Sequence, residues 1–169
     1  LLQDENLAAI RARVGLVFQD PDDQLFSPTV RDDVAFGPSY QGLSREQVEH
    51  RVSQALRAVR MEDFADRPPH QLSGGQKKQV ALATVLSMQP GLLVLDEPTS
   101  SLDARARRGL LNLLAELPQA MLIATHDLAL VEELCPRVLV LRDGELVLDA
   151  PTQQLLGQPQ LMEEYGLVA

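Results

Sequence analysis

Leu92-Leu93-Val94-Leu95 is an uninterrupted apolar run that ends on two carboxylates, Asp96 and Glu97. A run this short and without alternation is the pattern of a strand buried on both faces of a sheet covered by helices. Its surroundings agree. Residues 14–19 and 120–125 read as further strands, with helical stretches between. Ser44 and Gln47 form a capping-box pattern, and Val48, Val52, Ala55, Leu56 and Val59 recur at helical spacing before the Pro68-Pro69 break. Residues 73–88, 104–117 and 128–135 read as helices, with Leu110, Leu113, Leu114 and Leu117 on one side of the second. Strand, helix, strand, helix, strand predicts an α/β fold with a mostly parallel sheet and crossover helices. Residues 137–142 and 145–150 flank Asp143-Gly144, a two-residue hairpin signal.

The chain is expected to form a single domain over 1–169. Within it, 28–88 holds a strandless helical insertion and the helix after it, 89–150 runs from the carboxylate strand to the hairpin, and 151–169 is a tail. Apolar residues make up 45% and aromatics only 4%, so the core must be aliphatic. A net charge of −9 repels nucleic acid and anionic lipid, which argues against a nucleic-acid partner. The largest basic cluster, Arg105, Arg107 and Arg108, reads as a solvated helix face. Cys135 is the single cysteine, so no internal disulfide forms. No apolar stretch approaches the length that spans a bilayer, and work at a membrane would go through partner subunits.

The chemistry concentrates at strand ends. In an open parallel sheet, ligands bind beyond the carboxyl ends of the strands. Asp96 stands at such an end and suits Mg²⁺, and Glu97 suits a general base acting on water. Leu72-Ser73-Gly74-Gly75-Gln76 opens a helix: small residues there let backbone approach a phosphate, and the helix N-terminus supplies free N–H groups. His126 and Gln19 also end strands. An imidazole can bond a phosphate oxygen, and an amide can reach Mg²⁺ or the attacking water, but either residue alone is equally at home in a turn.

Taken in order, Gln19, Leu72–Gln76, Leu92–Glu97, Ser101-Leu102-Asp103 and His126 resemble the nucleotide-binding subunit of ABC transporters. There they correspond to the Q-loop, signature, Walker B, D-loop and switch histidine. A narrower likeness lies in Phe18-Gln19-Asp20-Pro21-Asp22-Asp23-Gln24-Leu25-Phe26 and Asp33-Val34-Ala35-Phe36-Gly37-Pro38, which are similar to energy-coupling-factor and cobalt/nickel importer ATPases. The resemblance implies ATP and Mg²⁺ as cofactors. Catalysis would fall to Glu97, His126 and Gln19, nucleotide contacts to Ser73, Gly74, Gly75, Gln76 and Asp103, and the metal to Asp96 and Gln19. It also implies a head-to-tail dimer, homo- or heteromeric, in which the signature serves the partner's nucleotide. A transmembrane subunit would dock near residues 20–37, placing the protein at the cytoplasmic face of the membrane.

Two departures stand out. The phosphate-cradling pattern G-x-x-x-x-G-K-[ST] is absent from residues 1–169, and the two lysines, Lys77 and Lys78, do not fit it. With Leu1 first, the expectation is a chain truncated at its N-terminus. Gln79 stands where relatives often carry Arg. Two rival expectations follow: a soluble ABC-type ATPase unconnected with transport, or a remnant that lends only its signature face to an intact subunit.

Overall fold

Leu93 and Leu95 are 0% and 1% exposed, at the centre of the strand that organises the larger part of the molecule. The structure is a computed structural model, and it describes residues 4–167; Leu1 and the last two residues of the 151–169 tail lie outside them. The chain divides into two compact units, Leu1–Ala124 and Thr125–Ala169.

In the first unit, helix α1 (Asp4–Arg13) leads into strand β1 (Val14–Val17). Helices α2 (Val30–Tyr40), α3 (Arg45–Ala58) and α4 (Gly74–Leu86) follow, then β2 (Leu92–Asp96), α5 (Ala104–Glu116) and β3 (Ala120–Ala124). The strands form one parallel sheet in the order β1-β2-β3, with Val17 beside Leu95 and Asp96 beside Ala124. Both connections run through helices, as the alternating pattern predicts. β1 ends at Val17, short of the expected 14–19, because the chain bends at Gln19 and Asp20 and enters a 3-10 turn at Pro21–Asp23.

One sheet face is covered. Val17 and Leu95 share a small cavity with Ala81 and Leu82 of α4 and with Leu110 and Leu114 of α5. The in-register residues of the other face, Leu16 and Leu122, are 45% and 52% exposed, with Val94 half-buried between them. Burial on both faces, expected from the unbroken apolar run, is therefore met on one face only.

The strandless stretch is helical, as expected. Ser44 and Gln47 form the reciprocal capping box of α3, with Gln47 N–H on Ser44 Oγ at 3.3 Å and Ser44 N–H on Gln47 Oε1 at 2.9 Å. Val30, Val34, Val52 and Val59 are buried at the junction of α2, α3 and α4. Gln79 donates its amide to the Val59 carbonyl at 3.3 Å, a neutral helix contact.

The second unit contains α6 (Leu128–Leu134), the antiparallel hairpin β4 (Arg137–Arg142) and β5 (Glu145–Pro151), and two short helices, α7 (Thr152–Leu156) and α8 (Pro159–Glu164). Asp143 (φ 53) and Gly144 (φ 82) both take positive φ, which is what the tight turn demands. Arg137 and Asp149 pair across the hairpin at 2.6 Å, and the guanidinium hydrogen bond lowers the Asp149 pKa. The Thr152 hydroxyl donates to the Cys135 carbonyl and anchors α7.

Candidate functional site

An open cleft of about 670 Å³ lies in the first unit, where β1 and β2 end. Its lining includes Gln19, Asp20, Asp22, Gly74, Lys77, Lys78, Asp96, Ser100 and Ser101. One wall carries the strand ends and the other is the start of α4.

On the first wall, Asp96 is the last residue of β2 and is exposed. The next residue, Glu97, takes φ 42, a conformation that costs a non-glycine residue about 1–3 kcal/mol and persists where the surroundings impose it. Three bonds impose it here. Glu97 N–H donates to the Ala124 carbonyl at 2.9 Å. The Glu97 carbonyl accepts from Ser100 N–H at 3.1 Å and from Lys78 Nζ at 3.1 Å. The chain then turns through Ser101 (φ 60) to Asp103, whose carboxylate caps α5 by accepting from Ala106 N–H at 2.8 Å.

On the second wall, Ser73 and Gln76 form a capping box: Gln76 N–H donates to Ser73 Oγ at 3.3 Å and Ser73 N–H to Gln76 Oε1 at 2.9 Å. Both side chains assigned to the nucleotide thus hold the helix start. The two glycines differ. A Cβ on Gly74 would meet nothing within 4 Å, so the backbone there is open to the cleft. A Cβ on Gly75 would come within 2.8 Å of Ala106 Cβ, so Gly75 permits the close approach of α4 to α5.

The loop after β1 is pinned to α4 by residues that spacing alone did not single out. Gln24 accepts from Phe18 N–H at 3.2 Å and donates to the Ala81 carbonyl and to Thr84 Oγ1, each at 2.8 Å. Lys77 Nζ pairs with Asp22 at 2.6 Å. Lys78 is buried, and its ammonium also reaches the Gln19 carbonyl at 3.2 Å and Ser100 Oγ at 2.9 Å. Burial lowers the Lys78 pKa, and the charges of Asp20 and Glu97 work in the opposite direction. Polar residues that bridge segments distant in sequence carry no periodic signal, which is why the sequence reading named these residues without a bridging role.

His126 lies in the second unit, exposed in the loop between β3 and α6. Its neighbour Asp127 caps α6, accepting from Leu130 N–H at 3.1 Å. The structure thus brings Gln19, Gly74 and Asp96 to one cleft, with Glu97 adjoining Asp96.

Asp96 and Gln19 on one cleft fit a magnesium ion, which takes one or two protein ligands and completes its shell with water and phosphate. Among the described residues no group of three His, Cys, Asp or Glu side chains forms a self-sufficient metal site. The open start of α4 fits an anion, since a helix N-terminus presents N–H groups and a positive dipole end.

Comparison with known proteins agrees with this geometry. The sequence model for the ABC transporter family matches residues 1–100. A putative ABC transporter ATP-binding protein of Streptomyces coelicolor is 54% identical over 96% of this chain and 62% of its own length. An energy-coupling factor transporter ATP-binding protein of Methanospirillum hungatei is 44% identical over 96% of this chain and 60% of its own. The chain therefore spans less than two thirds of these relatives. Among solved structures, cbiO1 from Clostridium perfringens, part of the ABC transporter complex cbiONQ, superposes with a TM-score of 0.84 at 37% identity, over 98% of this chain and 67% of that one. A dimeric ATP-binding cassette in a post-hydrolysis state, bound to ADP and Pi, superposes with a TM-score of 0.75 at 29% identity, over 89% and 68%.

Proposed function

The chain belongs to the ABC transporter family, and from that premise we propose that its protein binds and hydrolyses ATP to energise a membrane importer of the energy-coupling-factor or cobalt/nickel type. One observation carries the reading. A cleft lined by Asp96, at the carboxyl end of the central strand, is bounded on its other side by the open helix start at Gly74. Both line the cleft, the carboxylate suited to the Mg²⁺ of the chain's own nucleotide and the helix terminus to the phosphate of a partner's.

In this reading Asp96 and Gln19 hold the magnesium ion, which supplies charge neutralisation at the phosphates. Glu97 accepts the proton of the attacking water, with Gln19 orienting that water and His126 bonding a phosphate oxygen. Ser73, Gly74, Gly75, Gln76 and Asp103 serve a nucleotide at a dimer interface, as the likeness to a dimeric cassette supports. The solute, a metal ion or a vitamin, would be chosen by other subunits. No helix among the described residues is long and apolar enough to cross a membrane, so attachment to the cytoplasmic face would run through a transmembrane partner.

The docking place is residues 20–37. Leu25, Val30 and Val34 are buried in the core, whereas Phe26 and Phe36 are 67% and 56% exposed. Their rings meet edge to face at 5.1 Å, a ready apolar anchor for a short helix of the partner. Phe26→Ala in the full-length protein is expected to weaken co-purification with the membrane subunit and leave basal hydrolysis intact; normal assembly with normal transport removes the docking role.

The test of the activity is Glu97→Gln in the full-length protein. Single-turnover hydrolysis of ATP is expected to fall about 10²–10⁴-fold, the usual worth of a general base. Nucleotide affinity should persist and ATP-bound dimers should accumulate on gel filtration. Near wild-type turnover takes Glu97 off the catalytic list.

A further inference from the structure

We propose that Lys78 is a positioning residue for hydrolysis, a buried ammonium that locks the Gln19 loop and the Glu97–Ser100 turn to the helix that carries the signature; the inference rests on the function proposed above. An ammonium has three N–H donors. Each finds one acceptor here: the Gln19 carbonyl at 3.2 Å, the Glu97 carbonyl at 3.1 Å and Ser100 Oγ at 2.9 Å. The three acceptors come from two separate stretches of chain, the Gln19 loop and the single turn that holds Glu97 and Ser100. The residue itself is only 8% exposed, so its partners are not replaced at will by water.

The location matters as much as the bonds. Lys78 stands one turn along α4 from Gly74, on a helix whose start is fixed by the Ser73–Gln76 capping box. Its stem therefore joins the helix wall of the cleft to the carboxylate wall. On the carboxylate wall, Glu97 is held at φ 42 and Ser101 at φ 60, conformations that relax unless held. Lys78 contributes one of the two bonds to the Glu97 carbonyl, the other being the Ser100 N–H, and Lys78 grips Ser100 as well. Removing the ammonium loosens the turn at both ends. The adjacent Lys77 shows the contrast: its ammonium makes an ion pair with Asp22.

A displaced Glu97 keeps its carboxylate but not its aim, and misplacement of a catalytic group by about 1 Å is worth up to about 10²-fold in rate. Lys78→Met in the full-length protein is therefore expected to lower single-turnover kcat about 10- to 10²-fold with the KM for ATP within about twofold of wild type. Lys78→Arg, which keeps charge and donors, should recover most of the rate. The deciding measurement repeats Lys78→Met in the Glu97→Gln background. If Lys78 acts through Glu97, the second substitution adds little, because the group it aims is already gone. A kcat loss that multiplies undiminished in that background overturns the proposal, as does a folded Lys78→Met protein with wild-type kcat. Lys78→Gln, which keeps two donors on a shorter arm, replaces Lys78→Met if the latter does not fold; failure of both to fold makes Lys78 a core element and overturns the proposal too. If Glu97→Gln alone hydrolyses normally, it is the underlying function that fails.

Discussion

On the carboxylate wall of the cleft, Glu97 is held by its backbone, at φ 42 with three hydrogen bonds to its own N–H and carbonyl. On the helix wall, Ser73 and Gln76 are held by their side chains, which cap α4 and leave the backbone of Gly74 facing open space. The first arrangement fixes by backbone bonds where the Glu97 side chain starts from. The second offers backbone N–H groups to an anion and uses its side chains for support. The walls are thus built for different tasks, and substitutions on them should fail differently: loss of rate on the carboxylate wall, and loss of stability or closure on the helix wall.

The largest effect on stability is expected at Gly75. Its Cβ would meet Ala106 at 2.8 Å, so Gly75→Val forces α4 and α5 apart, at a cost of about 1–3 kcal/mol for overpacking. A fall in the urea midpoint at unchanged slope is the signature; an unchanged midpoint means that the two helices are not held as described. Ser73→Ala removes one cap bond and keeps the Gln76 bond to the Ser73 N–H, so a loss near the typical ~1 kcal/mol is expected. A larger loss would mean that the hydroxyl does more than cap. Gly74→Asp should matter least to stability, within about 0.5 kcal/mol, since the site is open and an acidic residue suits a helix start. It places a carboxylate where a phosphate would dock, so its effect belongs to nucleotide-driven closure.

Much of this architecture was legible in the sequence. The strand ending at Asp96, the α3 capping box and the Asp143-Gly144 hairpin depend on neighbouring residues, and local spacing reports those faithfully. β2 is buried at Leu93 and Leu95 but only half-buried at Leu92 and Val94, because an apolar run states what a strand tolerates and not what covers it. The end of β1 was placed two residues late: Phe18 prolongs the apolar pattern, but the chain bends at Gln19, and Asp20 starts a turn by accepting from Asp22 N–H at 2.9 Å. At the site, Asp96 and Gly74 were found by motif. The bridging roles of Gln24, although it stands within a quoted motif, and of Lys78 were not, since each makes contacts across more than fifty residues of sequence. Ser73 shows a further limit. The same residue serves as a helix cap and as the assigned nucleotide ligand, and a motif does not divide those roles.

The central claim is that the two walls act on different nucleotides, the carboxylate wall on the chain's own and the helix wall on a partner's. Full-length Glu97→Gln and full-length Gly74→Asp, each purified and each slow in ATP hydrolysis, provide the most direct measurement when they are mixed and allowed to exchange subunits. In a mixed dimer with shared sites, one site collects both defects and the other collects neither, so turnover should rise well above that of either protein alone. If both walls served the same chain's nucleotide, every site would keep one defect, and a mixture no faster than its components would contradict the account.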